Sequence, residues 1–148
     1  MNLKIKEIDT LTTFELRHPL LRAGRPVESC AMEGDNHPTT LHLGAYADQL
    51  LIGILSAMAN PCDECKSSNT YQFRGIAVRK EYQGQGVAKT LISEGIDILI
   101  RRFATQCIWL NARVAAQGLY QTTGFSAVGD PFTIEPIGLH QRYRLECT

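Results

Sequence analysis

The chain has 148 residues, with fifteen basic and fifteen acidic side chains that cancel to a formal net charge of zero. A neutral surface offers nucleic acid or an anionic membrane no non-specific attraction, so neither is an expected partner. Hydrophobic residues at 44% and charged residues at 20% exclude a disordered chain, and the length suits one domain over residues 1–148 with a core of its own.

The first segment, Met1 to Ile8, alternates apolar and charged residues from Leu3 onward, as a strand does, and lacks the apolar stretch of a signal peptide. Asp9 or Thr10 caps a short helix expected to run to about Arg17 and to stop at His18-Pro19. Leu20 to Pro38 reads as a long loop with room for one helical turn. Leu41, Leu43 and Ala45 alternate in a strand, Ala47-Asp48-Gln49 turns, and Leu50 to Ala59 is a strand apolar enough to be covered on both faces. After a loop containing Cys62 and Cys65, Thr70 to Val78 is a strand that breaks at Gly84 and Gly86. A helix follows through Phe103, its apolar positions Val87, Ala88, Leu91, Ile92, Ile96, Leu99 and Phe103 recurring at steps of three and four. Gln106 to Asn111 is a strand, Ala115 to Thr122 a short helix closed by Gly124, and Phe125 to Val128 another strand. Asp130 to Gly138 reads as a loop interrupted by Pro131 and Pro136, and Leu139 to Leu145 as the last strand.

No apolar run approaches the length that spans a bilayer, so a cytoplasmic protein is expected. Cys30, Cys62, Cys65, Cys107 and Cys147 are an odd set and are expected to stay thiols in a reducing compartment, with Cys107 part of the core. Cys62-Asp63-Glu64-Cys65 has the C-x-x-C spacing, but no second ligand pair follows for a metal and the flanks read as a hairpin loop. A loop is preferred there, with neither metal nor redox chemistry.

The chemistry-bearing stretch is the strand, glycine loop and helix around Gln83-Gly84-Gln85-Gly86-Val87-Ala88. At a helix start the first amides lack intrahelical acceptors and the dipole is positive, so the amides of Gln83 to Ala88 can converge on a phosphate or pyrophosphate. The dinucleotide pattern needs a glycine where Lys89 stands, and the P-loop needs Gly-Lys-Ser/Thr, so neither fits. The stretch Gln83 to Ala88, with the preceding Ile76-Ala77-Val78, resembles the coenzyme A loop of the GCN5-related N-acetyltransferase (GNAT) superfamily, Arg/Gln-x-x-Gly-x-Gly/Ala. The order of elements resembles that superfamily along essentially the whole chain, and Leu119-Tyr120-Gln121-Thr122-Thr123-Gly124-Phe125 is similar to its C-terminal Leu/Phe-Tyr-x-x-x-Gly-Phe. There is one departure, Arg113 where the superfamily often has Asn. Leu110 to Arg113 and Ile137-Gly138-Leu139-His140 are similar to the ElaA-like branch.

The resemblance implies an α/β (α+β) domain with a mixed, mostly antiparallel sheet flanked by helices and a parallel strand pair splayed at the cofactor site. It implies an N-acetyltransferase moving an acetyl group from acetyl-coenzyme A to a primary amine by direct transfer. The amine acceptor is expected to be a small molecule, no metal is expected, and a homodimer is left open. Cofactor contacts would fall to Ile76, Val78, Gln83, Gly84, Gln85, Gly86, Val87, Ala88 and Asn111, with Tyr120 as the acid for the leaving thiolate and His140 as base or acceptor contact. Glu33, Asp35 and Glu135 are the other candidate bases, and Gln72 and Arg74 either face the acceptor or make structural hydrogen bonds. His140 alternates with Arg142 and Arg144 and is also open to an exposed reading. Two rivals are a non-catalytic acyl-coenzyme A-binding or sensing module, and a nucleotide-binding regulator that would take ATP on the same amides.

Overall fold

Alternation at the start of the chain yields β1 (Leu3–Glu7), which pairs antiparallel with β2 (Leu41–Ala47), as β2 does with β3 (Leu50–Ala59). A computed structural model describes residues 2–147; Met1 and Thr148, the ends of the expected domain and strand region, lie outside the described residues. With β4 (Thr70–Val78), β5 (Cys107–Arg113), β6 (Ser126–Ile134) and β7 (Gly138–Glu146), seven strands form a sheet ordered β1-β2-β3-β4-β5-β7-β6. The β4–β5 pair is parallel, while β5–β7 and β6–β7 are antiparallel. Three helices complete the mixed fold: α1 (Thr10–Leu21), α2 (Val87–Phe103) and α3 (Gln117–Thr122). The expected fold class is therefore the observed one.

The chain divides into two compact units, one of residues up to Met58 with Phe73–Gly95, the other of Ala59–Gln72 with residues from Ile96 on. In the first, β3 is buried from Leu51 to Met58, as its unbroken apolar run requires. Leu16, Leu51 and Ile54 form a core cluster against which Ile8, Tyr46 and Ala77 pack. Gly53 lets α2 lie close on β3, since a Cβ there would sit 3.0 Å from both Val87 Cγ1 and Leu91 Cδ1.

The N-cap of α1 is Asp9, whose carboxylate accepts the Thr12 amide at 2.8 Å. The helix does not stop at His18-Pro19 but continues to Leu21 with Pro19 inside it. Proline removes one helical hydrogen bond, and so near the C-terminus the loss is limited; Arg22 closes the end with its amide on the Arg17 and His18 carbonyls. Full burial of Thr13, Leu16 and Arg17 supplies the packing that holds the last turn. The following loop contains the one helical turn expected of it, at Val27–Cys30.

In the second unit, β4 and β5 pair through Thr70↔Cys107, Tyr71↔Ile108 and Gln72↔Trp109. That pairing ends there, although the two strands continue to Val78 and Arg113. The stretch from Asp130, which reads as a loop in the sequence, is strand up to Ile134, so β6 runs through Pro131. It is the last strand in the order, and its register with β7 shifts between Val128 and Phe132, which is how a strand accommodates proline. The cysteines also depart from expectation: Cys65 and Cys107 are joined by a disulfide with Cα atoms 6.1 Å apart. They stand 42 positions apart, and the parallel start of β4 beside β5 brings them together, which spacing in the sequence does not reveal. Cys30, Cys62 and Cys147 are free thiols.

Candidate active site

The glycine loop is shaped by its own side chains. At the exit of β4, the Arg79 amide donates to the Ile52 carbonyl at 2.8 Å and its Nε to the Leu51 carbonyl at 2.6 Å, tying the strand end to β3. A single 3-10 turn, Lys80–Tyr82, follows. Gln83 Nε2 then donates to the Val78 carbonyl at 3.1 Å, and Gln85 Nε2 to the Glu81 carbonyl at 3.2 Å. The two glutamine side chains thus bond to carbonyls of the loop itself. Gly84 and Gly86 have φ of +75° and +84°, the left-handed region that side chains resist.

Among the described residues, nothing accepts a hydrogen bond from the amides of Gly86, Val87 and Ala88, while the turn at residues 83–84 leads into them. They head a 17-residue helix whose first turn has no acidic residue to satisfy or neutralise it. Residues 83–86 are exposed, and a Cβ added to Gly84 or Gly86 would meet nothing within 4 Å. Neutral N–H donors with the positive end of a helix dipole suit an anion of phosphate type, so the residues present fit a pyrophosphate. The edge that leads there fits as well: Ile76, Ala77 and Val78 are half-buried and lie beyond the last β5-paired residue of β4.

Beneath this surface the first unit carries a buried ionic network. Arg17, with no exposed surface, donates from both terminal nitrogens to the Asp35 carboxylate at 2.8 and 2.9 Å. It also donates to the Cys30 carbonyl and to Ser56 Oγ. Asp35 accepts the Met32 amide at 2.8 Å, and His42 bridges Ser56 Oγ at 2.6 Å and the Asp35 carbonyl at 2.9 Å. Burial alone would raise the Asp35 pKa, but the Arg17 and Met32 hydrogen bonds and the charges of Arg17 and His42 together hold it below the ordinary carboxylate value. Asp35 is therefore a structural ion-pair partner, and a carboxylate so occupied is a poor base. Arg17 gave little signal in the sequence beyond being a charge on the face of α1 shared with Thr13 and Leu16.

In the second unit, α3 presents Tyr120. Gly124, at φ +100°, ends the helix region, and the Phe125 amide folds back on the Tyr120 carbonyl at 3.0 Å. The Tyr120 ring stacks on Tyr143 at 5.3 Å between centroids and meets Phe125 edge-on at 6.0 Å. Burial first, then the Tyr143 phenol, pushes its pKa up to about 12, so it is a protonated phenol throughout the neutral range.

His140 is buried, not exposed, because β7 is covered by β6 at this register and the ring lies against Phe132 at 6.2 Å. Its Nδ1 is 2.8 Å from the Gly138 carbonyl, an acceptor, so Nδ1 carries the proton. With Nδ1 donating there, Nε2 is the ring nitrogen left to accept a proton. Glu33 and Glu135 are exposed. Gln72 takes the structural role, accepting from Asn60 Nδ2 at 2.8 Å, while Arg74 is half-buried. The Asn111 oxygen accepts Arg142 Nε at 2.9 Å. In the sequence Arg142 is marked only by its alternation with His140, yet it also pairs with Glu64 at 2.8 Å and lies over the Trp109 ring at 4.5 Å. Among the described residues no His, Cys, Asp or Glu cluster is arranged to hold a metal, and no helix is long and apolar enough to cross a membrane.

Comparison with known proteins places this geometry. The uncharacterized N-acetyltransferase YitI of Bacillus subtilis (strain 168) is 32% identical over 138 residues, covering 93% of this chain and 92% of its own. Escherichia coli ElaA superposes with a TM-score of 0.77 at 15% identity, over 98% of this chain and all of that one. An acyl-CoA N-acyltransferase from Pseudomonas aeruginosa superposes with a TM-score of 0.72 at 20% identity, covering 97% and 98% of the two chains. The sequence pattern of the Acetyltransferase (GNAT) family matches residues 5–125, from β1 through the glycine loop to the end of the Tyr120 motif, and the chain belongs to that family.

Proposed function

We propose that the whole chain works as one domain that transfers an acetyl group from acetyl-coenzyme A to the primary amine of a small molecule, directly and without an acetylated enzyme. The observation that carries this reading is the run of acceptor-less amides from Gly86 to Ala88 at the head of α2, behind the exposed turn at residues 83–86. Acetyl-coenzyme A, when bound, supplies the activated acetyl thioester. The amides of Gly84 to Ala88, with Gln83, would hold its pyrophosphate, and the β4 edge from Ile76 to Val78 would align its pantetheine arm. Asn111, its side-chain oxygen taken by Arg142, would contribute its amide group.

The amine must attack as the free base, so a proton leaves it before or during attack. His140 Nε2 is the acceptor we assign to that proton, because Nδ1 is committed to the Gly138 carbonyl. The backbone N–H of Val78 would stabilise charge growing on the thioester oxygen. Tyr120 would donate a hydrogen bond to the departing sulfur. With its pKa pushed up to about 12, the phenol cannot stably surrender its proton to a thiolate whose conjugate thiol has an ordinary pKa of roughly 8.5, so its role is a proton shared in the transition state and kept afterwards.

Thermal unfolding with acetyl-coenzyme A, desulfo-coenzyme A or ATP tests the cofactor. A ligand at about 100 times its dissociation constant stabilises by roughly 2.7 kcal/mol, which raises the midpoint of a domain this size by several degrees. Both coenzyme A compounds should raise it and ATP should not, after which a panel of small amines should release free thiol from acetyl-coenzyme A. No rise with either coenzyme A compound, in folded protein, would refute the cofactor assignment; binding without thiol release for any amine would favour a sensing module.

A further inference from the structure

The Cys62-Asp63-Glu64-Cys65 stretch takes no part in the proposed transfer, yet its folded form gathers three sulfur atoms. The Cys65 amide donates to the Cys62 carbonyl at 3.0 Å, so the four residues form a closed turn. Such a turn brings its end Cα atoms within about 7 Å, and a disulfide commonly spans about 4.4–6.8 Å between Cα atoms. Cys65 is already bonded to Cys107, and Cys62, a free thiol, packs against the cluster of Cys65, Cys107 and Trp109. The third sulfur therefore lies on the same patch as the disulfide, in a turn short enough to bridge.

The surroundings of Cys62 contain both signs of charge. Its sulfur is 3.2 Å from Glu64 Oε1 and 3.5 Å from Arg142 Nη1, and Arg142 is held in place by Glu64, Asn111 and the face of Trp109. The guanidinium supplies a cation beside a thiolate formed there, while the carboxylate accepts from the thiol form. Cys62 is half-buried, so solvent reaches it, whereas Cys65 and Cys107 are buried.

We propose that Cys62, Cys65 and Cys107 form a thiol–disulfide exchange site, in which the Cys65–Cys107 bond is traded for a Cys62–Cys65 bond. Cys62 loses its proton to solvent, and its thiolate attacks Sγ of Cys65. The Cys62–Cys65 bond forms as the Cys65–Cys107 bond breaks, and the electron pair leaves on Cys107 sulfur, which then takes a proton. One disulfide is consumed and one is made, so no oxidant or reductant enters. In one state residues 60–69 are tethered to the start of β5; in the other the tether is internal to their own turn and the Cys107 thiol at the head of β5 is released. Burial and the Glu64 carboxylate favour the thiol form of Cys62, so exchange is slow near neutrality and speeds up as pH rises.

The full chain, oxidised with glutathione disulfide and then freed of it, is held at a series of pH values between about 6.5 and 8.5 and quenched in acid, these spanning the approach to an ordinary thiol pKa. It is then unfolded, alkylated and mapped by mass spectrometry. The expected result is a Cys62–Cys65 peptide with alkylated Cys107, appearing at a rate independent of protein concentration and rising roughly tenfold per pH unit while Cys62 is mostly protonated. In Cys62→Ser, shown to be folded by circular dichroism, Cys65–Cys107 should persist and Cys107 should stay unlabelled. The proposal is overturned if Cys107 remains unlabelled in the natural chain at the highest pH, if the new pair is Cys62–Cys107, or if Cys62→Ser leaves the labelling of Cys107 unchanged.

Discussion

Asp35 and Arg17 show what a single buried ion pair demands of its partners. Asp35→Asn would leave the Arg17 guanidinium without a counter-charge in a site with no exposed surface, and removing one partner of a buried pair costs about 3 kcal/mol or more. Urea unfolding should show this loss, whereas Arg17→Met combined with Asp35→Leu should lose less than the single change, because no orphan charge remains. Tyr120→Phe belongs to the same scale with the opposite readout. It should reduce turnover while leaving the acetyl-coenzyme A dissociation constant nearly unchanged, and equal activity would assign the sulfur's hydrogen bond to another group. These two sites differ in how far the sequence announced them. Tyr120 stands in a local motif, with Gly124 and Phe125 at fixed offsets. Arg17 and Asp35 are 18 positions apart and meet through tertiary structure, so neither composition nor period separates them from surface charges. For His140 the structure removes only the exposed alternative: alternation with Arg142 and Arg144 is compatible with a wet face, but the ring is buried beside Phe132 of β6.

At the level of elements, the strand, glycine loop and helix around Gly84 and Gly86 are legible in the sequence, since helix period, glycine spacing and strand end all lie within one stretch, while the 3-10 turn Lys80–Tyr82 between them carries no pattern of its own. Gly86→Glu places a β-carbon on a residue at φ +84° and a negative charge at the head of α2. Thermal shift with acetyl-coenzyme A should vanish in that variant while circular dichroism shows it folded; an undiminished shift would contradict the loop assignment. Two other elements continue past a proline at which the sequence pattern suggests a stop. Pro19 survives in α1 through the burial around Leu16 and Arg17, and Pro131 survives in β6 at a register shift on the last strand of the order. The disulfide leaves no sequence signal because its halves lie 42 positions apart, in a loop and in β5. A cross-link over 42 positions should stabilise by about 4 kcal/mol on loop-entropy grounds, so reduction should lower the melting midpoint on the order of 10 °C.

For the whole molecule, acid is the informative stress. The folded-state pKa of Asp35 lies below its unfolded value, so its contribution is complete above the ordinary carboxylate value of roughly 3.9 and is lost as pH falls through the depressed value. Stability should therefore fall on acidification below about pH 4, and Asp35→Asn should flatten that part of the profile.

The path of the chain through its two units has a consequence for proteolysis. Both units draw on residues from either side of the 60–69 loop, where Lys66 is exposed just beyond Cys65. A tryptic nick after Lys66 therefore releases no intact unit. It leaves Cys65 on one fragment and Cys107 on the other, joined by the disulfide, so a denaturing gel without reductant should show one band and a reduced gel two. Cys62 and Cys65 both belong to the shorter fragment. Exchange to a Cys62–Cys65 bond would thus part the two fragments with no reductant present, turning a silent rearrangement of sulfur into a visible loss of mass.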